Sequence, residues 1–191
     1  IDRYRLQVGI AAIPGDLTDN FNPQNNTLSL SDSTYGRNSV AAIGIAAHEC
    51  GHAIQHQMGY IPIKIRSAFV PIANIGSTIS IPLFFIGLII SGVYRGTARA
   101  GQPSIGYIVM TIGIVCFSLV LIFQLITLPV EFNASSRGIQ VLGEIGIIRT
   151  EEERTAVKKV LTAAALTYVA GALSTILQLL RLILIANSRR R

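Results

Sequence analysis

Three long apolar stretches dominate the pattern of hydrophobic and polar positions along the chain. They run from Phe69 to Val93, from Ile105 to Val130 and from Val160 to Leu180, and none contains a charged residue. A helix needs about 20 apolar residues to cross a hydrocarbon core of about 30 Å, so each stretch is long enough. The pattern therefore predicts about three transmembrane helices, although Pro71 and Pro82 interrupt the first.

Composition decides between membrane helices and the buried helices of a soluble core. Half of the residues are apolar and only 14% are charged, against about a quarter charged in soluble domains. The net charge is +6, and basic residues lie beside the apolar stretches, at Arg95, Arg99 and the tail Arg189–Arg191. No basic stripe is interleaved with aromatic residues, which argues against nucleic acid. Cations at the ends of apolar stretches favour a lipid bilayer as partner.

The first polar segment, from Ile1 to about Arg66, begins with the pattern of a β-hairpin. Leu17–Phe21 and Thr27–Ser31 are predicted as short strands, and Asn22–Asn26 between them has the composition of a turn. A small α+β portion is thus expected in a mainly α membrane protein.

A helix is predicted after the hairpin. Asn38 and Ser39 are both good N-caps, and the helix should run to about Met58 before Gly59 and Pro62 end it.

The second polar segment, Glu131–Lys159, is predicted to be mainly helical, with the charged run Glu151–Arg154 as a solvated helix start. The chain is then expected to divide into four parts. These are residues 1–68 with the hairpin and the first helix, a transmembrane hairpin at 69–130, a segment on the side of the first part at 131–159, and a transmembrane helix with a basic tail at 160–191.

The chemistry of the first helix lies in His48-Glu49-Cys50-Gly51-His52, a His-Glu-x-x-His motif. Residues four apart are one helical turn apart, so both imidazoles can reach one tetrahedral ion. Glu49 lies near the metal's open position, where it can act as general base towards water. The alternative is a helix with two hydrogen-bonded histidines and a solvated glutamate. Because residues 40–47 are all apolar or small, an unpaired ionisable trio there would be costly, which favours zinc.

Catalytic zinc usually has three protein ligands and one water, so a third ligand is needed. His56 is about 12 Å along the helix from His48, which is too far to share one ion, and a metzincin spacing would require histidine at Met58. Glu131 follows the second apolar stretch directly. Two membrane crossings separate it from His52 and return the chain to the same side. We therefore predict His48, His52 and Glu131 as the metal ligands, with capping or solvation as the alternative role of Glu131.

At these motifs the sequence resembles the YugP-type family of neutral zinc metallopeptidases of bacterial membranes. The resemblance covers nearly the whole chain, including the segments 17–35, 41–77 and 128–138. Residues 131–135 are more distantly similar to the Glu-Phe-x-Ala-Asp segment of HtpX-type and CAAX prenyl proteases, where the glutamate is the third zinc ligand. This chain has Ser135 in place of the aspartate, so the partner of the ligand histidine should differ.

The resemblance implies a zinc-dependent endopeptidase of the bacterial cell membrane that acts on peptides or membrane proteins. Thr27–Ser31 could bind an extended substrate along its edge. The alternative is an adaptor or chaperone-like membrane protein that keeps zinc without catalysis, and a transporter is a third possibility. Intact Glu49 and the three-ligand set argue against the adaptor. The absence of charges from the first two apolar stretches argues against the transporter. Basic residues flank the stretches on both sides, so the positive-inside rule leaves the side of the active site open.

Overall fold

The computed structural model of the protein describes residues 7–93 and 103–189, which form three strands and four helices. They follow one another as β1 (Gly9–Ile13), β2 (Asn20–Asn22), β3 (Thr27–Ser31), α1 (Val40–Gln57), α2 (Ile61–Val93), α3 (Ile105–Glu144) and α4 (Glu151–Ser188). In these ranges α2, α3 and α4 are long and apolar enough to cross a membrane. The prediction of a mainly α protein with about three transmembrane helices and a small sheet is confirmed. Arg95, Arg99, Arg190 and Arg191 lie outside the described residues.

The sheet has the strand order β1-β3-β2. β2 and β3 pair antiparallel, with Phe21 opposite Leu28, so the predicted hairpin is present. Its first strand begins later than predicted, because Leu17 has a left-handed backbone (φ 57°) that cannot continue a strand. β1 was not predicted, and it pairs parallel with β3 from Gly9 opposite Thr27 onward.

β3 is the central strand of this sheet. β1 pairs with it along its whole length, from Thr27 to Ser31, and β2 pairs with it over Thr27–Ser29. β3 is therefore a central strand, and the hypothesis that Thr27–Ser31 binds a substrate as an edge strand is wrong over Thr27–Ser29, where both neighbours pair with it.

Helix α1 begins and ends close to the predicted positions. Ser39 is its N-cap, and the Ser39 hydroxyl accepts a hydrogen bond from the Ala42 N–H at 3.2 Å. The helix ends at Gln57, and Gly59 follows with φ 64°, a conformation that glycine adopts without strain.

The three long helices extend beyond the apolar stretches that predicted them. α2 already begins at Ile61, and α3 continues past Glu131 to Glu144. α4 begins at the charged run, as predicted. There the Glu153 N–H donates to the Thr150 hydroxyl and the Thr150 N–H to the Glu153 carboxylate, both at 3.2 Å. This reciprocal pair is a capping box.

The described residues divide into two compact units. The first contains the residues up to Ile65 and Thr127–Tyr168. Its sheet packs on α1, and its buried core consists of Ala47, Leu142, Val157 and Leu161. It is the unit that carries the predicted site. The four-part division made from the sequence stays a prediction.

The second unit contains the described residues of Arg66–Ile126 and those from Val169 onward. Its core is formed by Phe84, Met110, Leu182 and Ala186. Within it α2 and α3 approach backbone to backbone, since a Cβ on Gly87 would overlap the main chain at Gly106 and Met110. Small residues of this kind are common where apolar helices pack in membranes.

Candidate metal centre

Three side chains converge in the first unit. His48, His52 and Glu131 each offer one ligand atom, and these atoms all lie within 4.8 Å of one another. The Glu131 Oε2 atom is 3.2 Å from His48 Nε2 and 3.6 Å from His52 Nε2. Glu131 is only 2% exposed. The structure thus brings together the three residues predicted as ligands, two from α1 and one from α3.

A close crossing of α1 and α3 places these side chains against one another. Gly51 lies against the Ala134 backbone and Gly138 against the Ala47 backbone, so closely that a Cβ on either glycine would overlap the opposite main chain. Each helix thus contributes an alanine and a glycine four residues apart, a spacing that allows helix backbones to touch. The crossing leaves no room for side chains between the helices and directs Glu131 towards the two histidines.

The donor set fits zinc in chemistry and in spacing. Zinc binds imidazole nitrogen and carboxylate oxygen at about 2.0–2.2 Å, so two ligand atoms of a tetrahedral site lie about 3.4 Å apart. The observed separations of 3.2 and 3.6 Å lie on either side of this value. Two imidazoles and one carboxylate also match catalytic zinc sites, which keep one position open.

Gln55 orients His52. The Gln55 amide nitrogen donates to the Val130 carbonyl at 2.8 Å and to Asn133 Oδ1 at 3.0 Å. Its Oε1 atom therefore faces His52 Nδ1, 3.0 Å away, and accepts the proton of that nitrogen. This contact leaves the lone pair of His52 Nε2 directed towards Glu131. Gln55 is fully buried, so the network excludes water.

Ser135 takes the equivalent place beside His48. Its hydroxyl oxygen lies 3.0 Å from His48 Nδ1. Ser135 is thus the partner of a motif histidine, through a neutral hydroxyl. Both histidines have neutral partners at Nδ1, and the only carboxylate that contacts their Nε2 atoms within the described chain is Glu131.

Glu49 is 9% exposed and lines the same cavity as His48 and Glu131. Burial raises the pKa of the Glu49 carboxyl, electrostatic interactions with His52 and His48 oppose the rise, and those with Glu131 and Asp19 add to it. A raised pKa brings a carboxylate closer to the range in which it accepts protons well near neutral pH.

The pKa of His52 is raised as well. Burial alone would lower it, but the hydrogen bond to Glu131 and the charges of Glu131 and Glu49 outweigh this effect.

His56 lies apart from the three converging side chains. Its ring packs on Phe21, with the centroids 5.8 Å apart, and it lines a different cavity together with Gln57. Burial lowers the pKa of His56, and the charges of His52 and Lys64 add to the decrease.

A cavity of about 200 Å³ opens beside His48, Glu49 and Glu131. Its lining is formed by Leu17, Asp19, Ile45, His48, Glu49, Glu131, Ser135, Leu161, Ala164, Ala165 and Tyr168. Sequence reasoning missed Gln55, Asp19 and the residues of α4 as parts of this site. The Ala-x-x-x-Gly spacing in both α1 and α3 was a signal that could have identified the crossing.

Comparison with known proteins agrees with this chemistry. Residues 1–187 match the model of a family described as putative neutral zinc metallopeptidase. A relative from Bacillus subtilis (strain 168), named putative membrane protease YugP, is 42% identical over 178 residues. The match covers 93% of this chain and 72% of the relative. No solved structure matches.

Proposed function

Because this chain belongs to the putative neutral zinc metallopeptidase family, we propose that it is a membrane-embedded endopeptidase with zinc held by His48, His52 and Glu131. The observation that carries the proposal is the convergence of these three donors, with the Glu131 oxygen at tetrahedral spacing from both histidine nitrogens, beside a cavity that His48, Glu49 and Glu131 line. Zinc, when bound, makes water acidic enough to attack near neutral pH and polarises the scissile carbonyl.

Glu49 is the general base in this proposal. Its carboxylate takes a proton from the attacking water and passes it to the leaving amine, for which the elevated pKa suits it. His48 and His52 are held in place by Ser135 and Gln55 at their Nδ1 atoms. Glu131 and Gln55 are buried, so little water reaches them. The electrostatic interactions of the Glu131 carboxylate are stronger in such surroundings than in water.

The proposed substrates are membrane proteins or peptides at the bilayer. The relative's name includes a membrane protease, and α3 and α4, which supply cavity residues here, are both candidate membrane-spanning helices. Glu131 lies at the end of the uncharged stretch of α3, and Leu161 lies at the start of that of α4. A peptide bond near the end of a transmembrane segment is therefore the proposed point of cleavage.

The experiment that tests this function compares Glu49→Gln, Glu131→Ala and the control His56→Ala in full-length protein purified in detergent. Glu49→Gln should retain zinc while peptide cleavage falls by about 10²–10⁴-fold, because only the base is removed. Glu131→Ala should lose both zinc affinity and cleavage, and His56→Ala should lose neither. Zinc is measured by elemental analysis and cleavage by mass spectrometry. Equal cleavage by wild type and Glu49→Gln would refute the mechanism, and zinc binding with no cleavage of any peptide would favour the adaptor.

A further inference from the structure

The lining of the metal cavity separates by chemistry into two groups. His48, Glu49, Glu131, Asp19 and Ser135 are polar. Five others are apolar, Leu17, Ile45, Leu161, Ala164 and Ala165, and Tyr168 adds an aromatic ring to this second group. We propose that the apolar group forms a subsite for one large apolar side chain of the substrate, next to the bond that is cut. This inference rests on the proposed function.

Leu17 is the first observation that supports the subsite. Its side chain is 81% exposed although it is large and apolar, and its backbone has φ 57°. A left-handed conformation is strained for leucine, and such strain persists only where the surroundings enforce it. An apolar side chain held in this way at a cavity suits contact with a ligand better than contact with water.

The loop that carries Leu17 is fixed on both sides. Before it, the Gly15 N–H donates to the Asp32 carboxylate at 2.9 Å, and the Asp32 N–H donates to the Gly15 carbonyl at 3.1 Å. After it, Asp19 accepts hydrogen bonds from the N–H and the hydroxyl of Ser31, at 2.9 and 2.8 Å. Ser31 is fully buried at the end of β3. The loop is therefore anchored to the sheet, and Leu17 is presented at a defined position.

Helix α4 supplies the other part of the apolar lining. Leu161, Ala165 and Tyr168 are spaced four and three residues apart and so lie on one face of the helix. Ala164 and Ala165 are small and leave space between the larger side chains. The cavity measures about 200 Å³, and an apolar cavity of about 150 Å³ is sufficient for benzene. One leucine- or phenylalanine-sized side chain therefore fits beside the converging donors.

The charges in the cavity predict which substrate side chains the subsite excludes. Three carboxylates line it, Asp19, Glu49 and Glu131, and no lysine or arginine is part of its lining within the described chain. With zinc bound, the charge of Glu131 is offset by the metal, whereas an acidic side chain in the apolar subsite would still meet Asp19 and Glu49 with no lysine or arginine beside it, which is unfavourable in a partly buried site. The specificity inferred is for large apolar residues and against aspartate and glutamate.

The test uses full-length, zinc-loaded protein in detergent and a peptide pool in which every residue type occurs at every position. Mass spectrometry identifies the cleavage sites of wild type, Leu17→Gly and Ala164→Trp. Leu17→Gly removes the side chain and also the backbone strain, so the fold is retained. Ala164→Trp fills the space from an exposed helix position. The matched control is Asn26→Gly, because Asn26 is the other non-glycine residue with positive φ (51°) among the described residues and does not line this cavity.

Wild type should prefer large apolar residues at one position beside the cleaved bond. Leu17→Gly and Ala164→Trp should each reduce this preference about 10-fold, since small changes in an apolar pocket alter selectivity by about 10- to 200-fold. Asn26→Gly should cleave like wild type. A binding measurement gives a readout that does not depend on turnover. Glu49→Gln protein should bind a leucine-containing peptide about 10-fold more tightly than the same peptide with aspartate in place of the leucine. Adding Leu17→Gly to this protein should abolish the difference in affinity.

Two results would overturn the subsite. The first is cleavage by wild type without a preference beside the bond, or with a preference that both variants leave intact. The second is an equal loss of cleavage of all peptides in Leu17→Gly, which would mean that Leu17 orders the loop or contacts lipid. If wild type cleaves nothing, the proposed function fails, and the binding ratio alone decides whether the cavity selects apolar side chains.

Discussion

At the scale of single residues, the buried amide of Gln55 determines which nitrogen of His52 faces Glu131. Its nitrogen is committed to two oxygens on α3, so its oxygen has to accept from His52 Nδ1. Replacing Gln55 removes the hydrogen bond that selects the tautomer of His52, but it leaves His48, His52 and Glu131 themselves unchanged.

We expect Gln55→Leu to weaken zinc affinity about 10- to 100-fold, the usual effect of losing an outer partner of a zinc histidine. Competition with a chromophoric chelator measures the change. Gln57→Leu is the matched control, because it is an exposed glutamine of the same helix that makes none of these contacts. Similar affinities in the two variants would show that His52 does not depend on Gln55.

The sequence was sufficient to predict the convergence of His48, His52 and Glu131, because helical spacing and the count of membrane crossings are both readable from it. It did not indicate Gln55. An amide can be identified as the partner of a histidine only when the acceptors of its own N–H groups are known. Here these acceptors are Val130 and Asn133, on a helix that is close in space but far along the sequence.

At the scale of elements, the contact between α1 and α3 depends on the absence of two side chains. Gly51→Ala would place a methyl group into the Ala134 backbone, and we expect a loss of about 1–3 kcal/mol of unfolding free energy from overpacking. Gly143→Ala is the matched control on α3, since a Cβ there meets nothing within 4 Å. That variant should gain about 0.5–1 kcal/mol from helix propensity.

Thermal unfolding in detergent, followed by circular dichroism, measures both changes. Equal or raised stability of Gly51→Ala would mean that the helices can separate by the width of a methyl group. Zinc affinity should fall together with stability in Gly51→Ala, because the same crossing directs Glu131 towards the histidines.

Elements with strong local signals were predicted better than those that depend on partners. Ser39 marks the start of α1 by its capping side chain, and the apolar stretches mark the long helices. β1 has the sequence Gly-Ile-Ala-Ala-Ile, which lacks regular alternation of polar and apolar residues, and its partner β3 begins 18 residues later. Its pairing is a tertiary effect. The apolar stretches marked only part of each long helix: α3 continues past Glu131 into a segment that was predicted to be mainly helical.

At the scale of the whole molecule, the apolar stretches predict stable insertion into a membrane. Val115 lies within the apolar stretch of α3 and is 56% exposed, whereas Ile147 is 50% exposed and lies in the connection between α3 and α4. Val115→Arg should impair insertion by about 2.5–3.5 kcal/mol, and Ile147→Arg should insert like wild type. The fraction that resists extraction by alkaline carbonate measures this difference. Equal resistance of both variants would contradict the assignment of α3 as a membrane span.

The pairing of His48 with Glu131 joins residues 83 positions apart, and this separation has a consequence for biosynthesis. A ribosome completes the His-Glu-x-x-His helix long before it adds Glu131, and all of α2 and the whole apolar stretch of α3 are translated in between. The nascent chain therefore has two of the three proposed zinc donors throughout this interval. The proposed three-donor site can be complete only after the polypeptide between its members has been made.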